Sequence, residues 1–192
     1  MSKLRWKPGN MLYPLPAVMV SCGDQPDDYN IFTAAWTGTL CSDPPMTYVS
    51  IRPERHSHSL ITRTGEFVIN LTTRRLAKAA DFCGVRSGRD IHKFEALSLT
   101  AVQGFSVSAP LIRESPLSLE CRVRQIIPLG SHDMFMADVL SVAADDRYID
   151  SSGRFHREDA DLLAYSHGAY YALGQQLGHF GYSVKKSGTK KR

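Results

Sequence analysis

The sequence predicts a mainly β protein with flanking helices, an antiparallel barrel built as one domain. Three observations carry this. Short apolar and β-branched runs follow one another through the first half with only a few turn residues between them, whereas a parallel crossover needs a dozen or more. Residues 117–124 alternate strictly, with Leu117, Leu119, Cys121 and Val123 on one side and Ser118, Glu120, Arg122 and Arg124 on the other, the pattern of a half-buried strand. Finally, 192 residues with 43% hydrophobic and 22% charged content suit a single domain, with no repeat and no Ser/Gly/Pro linker.

The elements follow in order. Residues 11–21 and 31–40 read as strands, and Ser42-Asp43-Pro44-Pro45 turns the chain into a third at 46–52. A short helix is expected over 57–64, ended by Gly65 as a left-handed cap, and then a strand at 66–71. Thr72 and Thr73 stand as N-caps of a helix carrying Leu76, Ala79, Ala80 and Cys83 at helical spacing. Residues 84–88 read as a loop and 90–96 as one or two helical turns. Pro128-Leu129-Gly130-Ser131 joins the alternating strand to another at 134–144, a hairpin. Residues 159–164 suggest a short helix, and the chain is then rich in Tyr and Gly up to Tyr182. The domain spans 1–184 and a basic tail follows at 185–192.

The formal charge of +4 misleads. Five of the last eight residues are Lys or Arg, and the preceding 184 carry 18 basic against 19 acidic residues, a net of −1. A near-neutral body lacks the single-sign field of a non-specific nucleic-acid binder, so no nucleic-acid partner is expected and the tail is assigned to solubility. No apolar run approaches the about 18 residues of a membrane helix. Pro14 and Pro16 argue against reading 11–21 as a signal peptide, so the expectation is a cytoplasmic protein with no membrane association. Cys22, Cys41, Cys83 and Cys121 form no CxxC pair and read as reduced, partly buried thiols, and the seven histidines show no metal-ligand spacing.

The sequence contains no GxGxxG after a strand, GxxxxGK[ST], GxSxG or HExxH, which strikes off the usual Rossmann, P-loop, hydrolase-elbow and zincin chemistries. What remains is a gathering of anion-friendly groups. Arg52 and Arg55 close a strand, Ser57 and Ser59 open a helix, and Thr72 and Thr73 open the next. Helix starts present unpaired N–H groups, and guanidinium and hydroxyl groups add directional donors, a combination suited to one phosphate monoester. Simple N-capping beside two surface arginines reads the same residues equally well. Residues 33–39 set small residues and threonines around Trp36, which suits either a flat heteroaromatic ligand or a strand with a core Trp. The loop from Cys83 to Phe94 either covers a ligand or merely connects.

In chain order these segments resemble the flavin reductase-like proteins with the FMN-binding split β-barrel, and among them the flavoredoxins. The resemblance runs from about Met11 to Lys186. It rests on Asn30-Ile31-Phe32-Thr33-Ala34-Ala35-Trp36-Thr37-Gly38, Ser42-Asp43-Pro44-Pro45-Met46, Arg52-Pro53-Glu54-Arg55-His56-Ser57, Gly65-Glu66-Phe67-Val68-Ile69-Asn70-Leu71-Thr72-Thr73 and the Cys83 to Phe94 loop. Gly130-Ser131-His132-Asp133-Met134-Phe135 and Tyr165-Ser166-His167-Gly168-Ala169-Tyr170 complete it. His56 and His92 depart from it, standing where a tyrosine and an acid are common.

The resemblance implies an antiparallel barrel of Greek-key type, a homodimer, and FMN held non-covalently near the subunit interface. It places Arg52, Ser57 and the region of Leu71 and Thr72 around the phosphate, with Ser50 and His56 as lesser candidates and Asn70 orienting either the cofactor or the turn. Trp36, Thr37, Gly38 and Thr39 would line the ring. Cys83, Gly84, Ser87, Lys93 and Phe94 come from the covering loop, and His132 and Tyr165 approach from the other half of the fold, on the substrate side or at the interface. No protein catalytic residue is implied, because a flavin carries the redox chemistry itself. The implied activity is an FMN-dependent oxidoreductase that takes reducing equivalents from NAD(P)H or a redox protein and passes them to a flavin, ferric complex or protein acceptor. An FMN-holding electron carrier without reductase activity of its own is the alternative.

Overall fold

The structure, a computed structural model, describes residues 1–184. The basic tail lies outside the described residues. Twelve strands and three helices are described, in the order β1 (Leu15–Pro16), β2 (Val18–Cys22), β3 (Asn30–Ala34), β4 (Thr37–Ser42), β5 (Pro45–Ile51), α1 (His56–Thr64), β6 (Glu66–Leu71), α2 (Ala77–Val85), α3 (Lys93–Ala96), β7 (Ala101–Val102), β8 (Leu111–Ile112), β9 (Leu117–Pro128), β10 (Asp133–Ala144), β11 (Leu163–Ser166) and β12 (Ala169–Ala172). Seven strands form a curled, wholly antiparallel sheet in the order β3-β2-β6-β9-β10-β5-β4, with β1-β11-β12 and β7-β8 as two smaller sheets.

The edges of the large sheet, β3 and β4, are joined by Ala35 and Trp36 alone. Two residues cannot span a flat seven-stranded sheet, whose edges would lie about 28 Å apart at ordinary strand spacing. The sheet therefore curls until β3 meets β4 and β5, and the Ser50 amide donates to the Trp36 carbonyl at 2.9 Å across the seam. The single strand expected over 31–40 is thus two strands with a corner at Trp36. The strand expected over 11–21 also divides, because Leu15 and Pro16 pair with β11 while Val18–Cys22 enters the large sheet.

β2 is buried along its whole length. Val18, Val20 and Cys22 face the barrel interior with Phe32, Val49, Phe67, Ile69, Cys121 and Phe135, and Leu60 and Ile61 of α1 close that cluster. Met19 faces the other way, against Ile31, Leu76, Ala80 and Cys83, and so fixes α2 on the outside of the sheet. Each large apolar side chain buried here contributes about 1.5–3 kcal/mol. Gly65 ends α1 as expected, at φ +69° with its N–H on the Ile61 carbonyl.

Three local expectations need correction. Gly84 and Val85 belong to α2 rather than to a loop, and the helical turn expected over 90–96 is confined to Lys93–Ala96. Residues 159–164 form no helix: Leu163 opens β11, pairs with Ala172 and donates its N–H to the Thr72 carbonyl at 3.0 Å. On β9 the apolar face lies inside as predicted, but Ser118 and Glu120 of the polar face are buried as well. They lie beneath the 104–112 segment, which the side chains of Asn70 and Glu120 tie to the sheet. Asn70 donates to the Met19 carbonyl at 3.1 Å and Ser21 Oγ at 2.9 Å, and accepts from the Ile112 amide at 3.0 Å and Ser118 Oγ at 2.7 Å.

Glu120 accepts from the amides of Phe105, Ser106 and Val107 at 3.1, 2.7 and 3.0 Å and from Ser141 Oγ at 2.7 Å. Burial alone would raise its pKa, but these donors outweigh it and hold the carboxyl below the ordinary glutamate value. The stabilisation from Glu120 is therefore full above the unfolded-state pKa of about 4.3 and is lost as pH falls through the folded value. Glu120→Gln should cost about 2–3 kcal/mol at pH 7. In urea melts, its deficit relative to the unmodified protein should shrink at pH 3.

Candidate flavin site

Two adjoining cavities open where β3, the Trp36 corner, the end of β5, the start of α1 and the end of α2 converge. One, of about 330 Å³, runs past Phe32, Thr33, Ala34, Ala35 and Trp36 to Ser50, His132, Tyr165 and Tyr170. The other, of about 280 Å³, is bounded by Asn30, Arg55, His56, Ser57, Cys83, Ser87, Gly88, Arg89 and Lys93. Phe32, Thr33, Arg52, Arg55 and Gly84 belong to both, so the two form one bent cleft.

Its ends differ in chemistry. The second cavity has five cationic side chains, Arg52, Arg55, Arg86, Arg89 and Lys93, and among the described residues one carboxylate, Glu54, on its wall. That carboxylate lies 3.7 Å from Arg52 with both groups exposed. The nine-residue α1 begins here with no acidic residue in its first turn and no side-chain cap. The hydroxyls read as caps do other work: Ser57 Oγ accepts from Asn30 Nδ2 at 2.7 Å, and Ser59 Oγ donates to the His56 carbonyl. The helix start is left with free N–H groups and the positive end of its dipole facing the cavity.

Lys93 is buried, and its Nζ donates to the carbonyls of Ile31 at 2.6 Å and Cys83 at 3.1 Å, pinning α3 to β3 and α2. Burial holds its pKa below the ordinary lysine value. Burial also pushes the Cys83 thiol up to about 11 and Cys22 to about 12, so both stay thiols at neutral pH and offer no nucleophile. Burial, then Arg89 and Lys93, lower the His56 pKa below the ordinary histidine value. Arg89 donates to the Glu54 carbonyl at 3.2 Å and draws the 86–92 loop over this end.

The other end is aromatic. Trp36 and His132 lie nearly parallel at 29°, with centroids 6.5 Å apart, and Tyr165 and Tyr170 meet edge to face at 5.6 Å. Burial and then Arg52 lower the His132 pKa, and Ser131 Oγ lies 2.9 Å from its Nδ1.

Of the residues singled out from the sequence, Trp36, Ser50, Arg52, His56, Ser57, Cys83, Gly84, Ser87, Lys93, His132 and Tyr165 all stand on the cleft wall. Thr37, Gly38 and Thr39 do not, because the corner at Trp36 sends β4 away along β5. There Thr37 Oγ1 bonds to the Tyr48 carbonyl and Gly38 packs on the Tyr48 ring. Asn70 and Leu71 end β6 and Thr72 follows it; Asn70 orders the fold there, and none of the three is on the wall. Phe94 packs beside the Met19 cluster. Thr33, at the head of the 33–39 run, is on the wall, whereas Asn30, which opens β3, and the wall residues Asp81, Arg86, Arg89 and Tyr170 were not named for the site from the sequence.

Residues 11–174 match the family described as flavin reductase like domain. The chain belongs to this family. It has split-barrel relatives of known structure. Flavoredoxin of Desulfovibrio vulgaris (Miyazaki F) superposes with a TM-score of 0.88 at 30% identity, covering 96% of this chain and 100% of that one. An uncharacterized protein of Archaeoglobus fulgidus is 37% identical over 139 residues, 72% of this chain and 77% of that protein. The FMN reductase (NADH) RutF of Stutzerimonas stutzeri is 23% identical over 157 residues, 82% of this chain and 81% of that protein.

The wall fits the phosphate of a flavin through its five cations and the uncapped start of α1. Behind it, Asn30 Oδ1 is buried without a hydrogen-bond partner and sealed off by the 86–92 loop. Gly88 approaches the same amide so closely that a Cβ would come within 2.2 Å of Asn30 Oδ1, while at Gly84 the nearest atom would be Thr33 Cβ at 3.5 Å. Gly88→Ala should therefore displace Asn30 or the loop and cost about 1–3 kcal/mol. Gly84→Ala should be neutral or gain up to about 1 kcal/mol from helix propensity. Chemical denaturation of the two variants side by side checks the contrast.

Proposed function

We propose that the cleft holds FMN and that the protein is an FMN-dependent oxidoreductase of the flavin reductase type. The observation that carries the reading is the polarity of the cleft, with cations and an uncapped helix start at one end and stacked aromatic rings at the other. Arg52, Arg55, Ser57 and the first N–H groups of α1 would hold the phosphate. Asn30, through Ser57, would hold the start of α1 against β3, and Lys93 would keep β3, α2 and α3 in place around it. Trp36, His132 and Tyr165 would flank the ring. A bound flavin supplies the hydride and electron chemistry, and the chain supplies binding, orientation and a dry wall.

NAD(P)H or a redox protein is the proposed source of reducing equivalents, and a flavin, ferric complex or protein their destination. The FMN reductase relative supports the nicotinamide route. A cytoplasmic homodimer is part of the same proposal. Exposed apolar side chains along both terminal segments, among them Leu4, Trp6, Leu177 and Phe180, support it as surface suited to a second copy.

Titration of purified protein with FMN, followed by flavin fluorescence or calorimetry, should give saturable one-to-one binding. Riboflavin, which lacks the phosphate, should bind 10- to 100-fold more weakly, and Arg52→Ala or Ser57→Ala should weaken FMN far more than riboflavin. Stopped-flow addition of NADH or NADPH to the complex should bleach the flavin. A protein that binds no FMN overturns the proposal, and bleaching by a reduced donor protein but not by nicotinamides would instead make it an electron carrier.

A further inference from the structure

A third cavity, of about 590 Å³, adjoins the aromatic end of the cleft and shares Asp81, Val85, Gly168 and Tyr170 with it. Its floor is one face of α2, where Ala77, Asp81 and Val85 recur at four-residue spacing with Phe82 beside them. The turn between β11 and β12 forms the opposite side, carrying Gly168 and Tyr170. Lys78 and Arg86 stand at the two ends of this floor, eight residues and about 12 Å apart. The cavity is thus apolar and aromatic in its middle and cationic at both ends. Asp81, the one carboxylate among the described residues of its wall, faces the Tyr170 hydroxyl and lies where the two cavities meet.

We propose that this cavity seats the second reactant of the flavin, a small planar aromatic molecule bearing one anionic group. The aromatic body would lie on Phe82, Val85 and the Tyr170 ring, with the anion at Lys78. The inference rests on the flavin reading for its purpose but not for its geometry. Burial and then Asp81 raise the Tyr170 pKa above its ordinary value. Asp81 is outnumbered on this wall by the two cations, Lys78 and Arg86. The shared wall brings an occupant to the edge of the ring cavity without entering it, so the two ligands bind together rather than in competition. Arg86 also reaches the phosphate-end cavity, so Lys78 is the cation particular to this one.

Calorimetric titration of the FMN-loaded protein with 2-naphthoate should show saturable binding. The neutral isostere 2-naphthalenemethanol should bind at least tenfold more weakly. Lys78→Glu should reduce naphthoate affinity at least tenfold while leaving FMN affinity within twofold, and Phe82→Ala should weaken both naphthalene probes alike. The proposal is overturned if FMN displaces naphthoate, if the FMN-loaded protein binds none, or if Lys78→Glu leaves its affinity unchanged. Should FMN itself fail to bind, the flavin reading falls. The same titration on the flavin-free protein then decides this cavity alone, with sensitivity to Lys78→Glu supporting it and insensitivity overturning it.

Discussion

The fold depends on a connection of two residues. β3 and β4 occupy opposite edges of a seven-stranded sheet yet are joined only by Ala35 and Trp36, so the chain has no means of forming that sheet without rolling it up. Curling brings the β3 edge beside the end of β5 and turns the faces of β2, β6 and β9 inward on a shared apolar core. It also fixes the place of everything around the seam. Trp36 sits at the corner, the end of β5 is brought beside β3, and α1 must start where β5 stops. The cleft lies there because three element ends meet at that corner.

Charge follows from the same geometry. The body of the protein is close to neutral, yet five cations gather around one small cavity because the ends of β5 and α2 and the 86–92 loop converge on it. Most of these groups are exposed and individually weak in water. Their effect is local and cooperative with the uncapped α1 start, where a bound anion excludes solvent and meets N–H groups already oriented. Buried Lys93 differs in kind. Its ammonium is taken up by the Ile31 and Cys83 carbonyls, so it serves the wall by holding three elements together as much as by its charge.

Much of this was legible in the sequence wherever a local rule governs. Gly65 had to end α1, the 117–124 alternation had to be a strand with Leu119, Cys121 and Val123 inside, and Arg52 with Ser57 marked a strand end beside a helix start. Local rules failed where a distant segment decides. Glu120 looks like a solvent-facing residue because nothing nearby in sequence announces that Phe105, Ser106 and Val107 will fold over it. Residues 159–164 have a helical composition, but the free Thr72 carbonyl and β12 recruit Leu163 into a strand. The resemblance sets Thr37, Gly38 and Thr39 beside the ring with Trp36, and the corner at Trp36, which carries them along β5, depends on the tertiary closure and not on the local run.

Asn30 shows most clearly how the site and the fold share residues. It opens β3, and its amide reaches Ser57 at the start of α1, so the strand edge and the helix start are held at a fixed distance. The other end of that amide is buried without a partner, and Gly88 crosses close enough to exclude any side chain there. An unpaired buried acceptor costs about 1–3 kcal/mol, which a protein of ordinary stability tolerates. The same residue thus ties the strand edge to the helix start and sets how closely the 86–92 loop packs against the cleft.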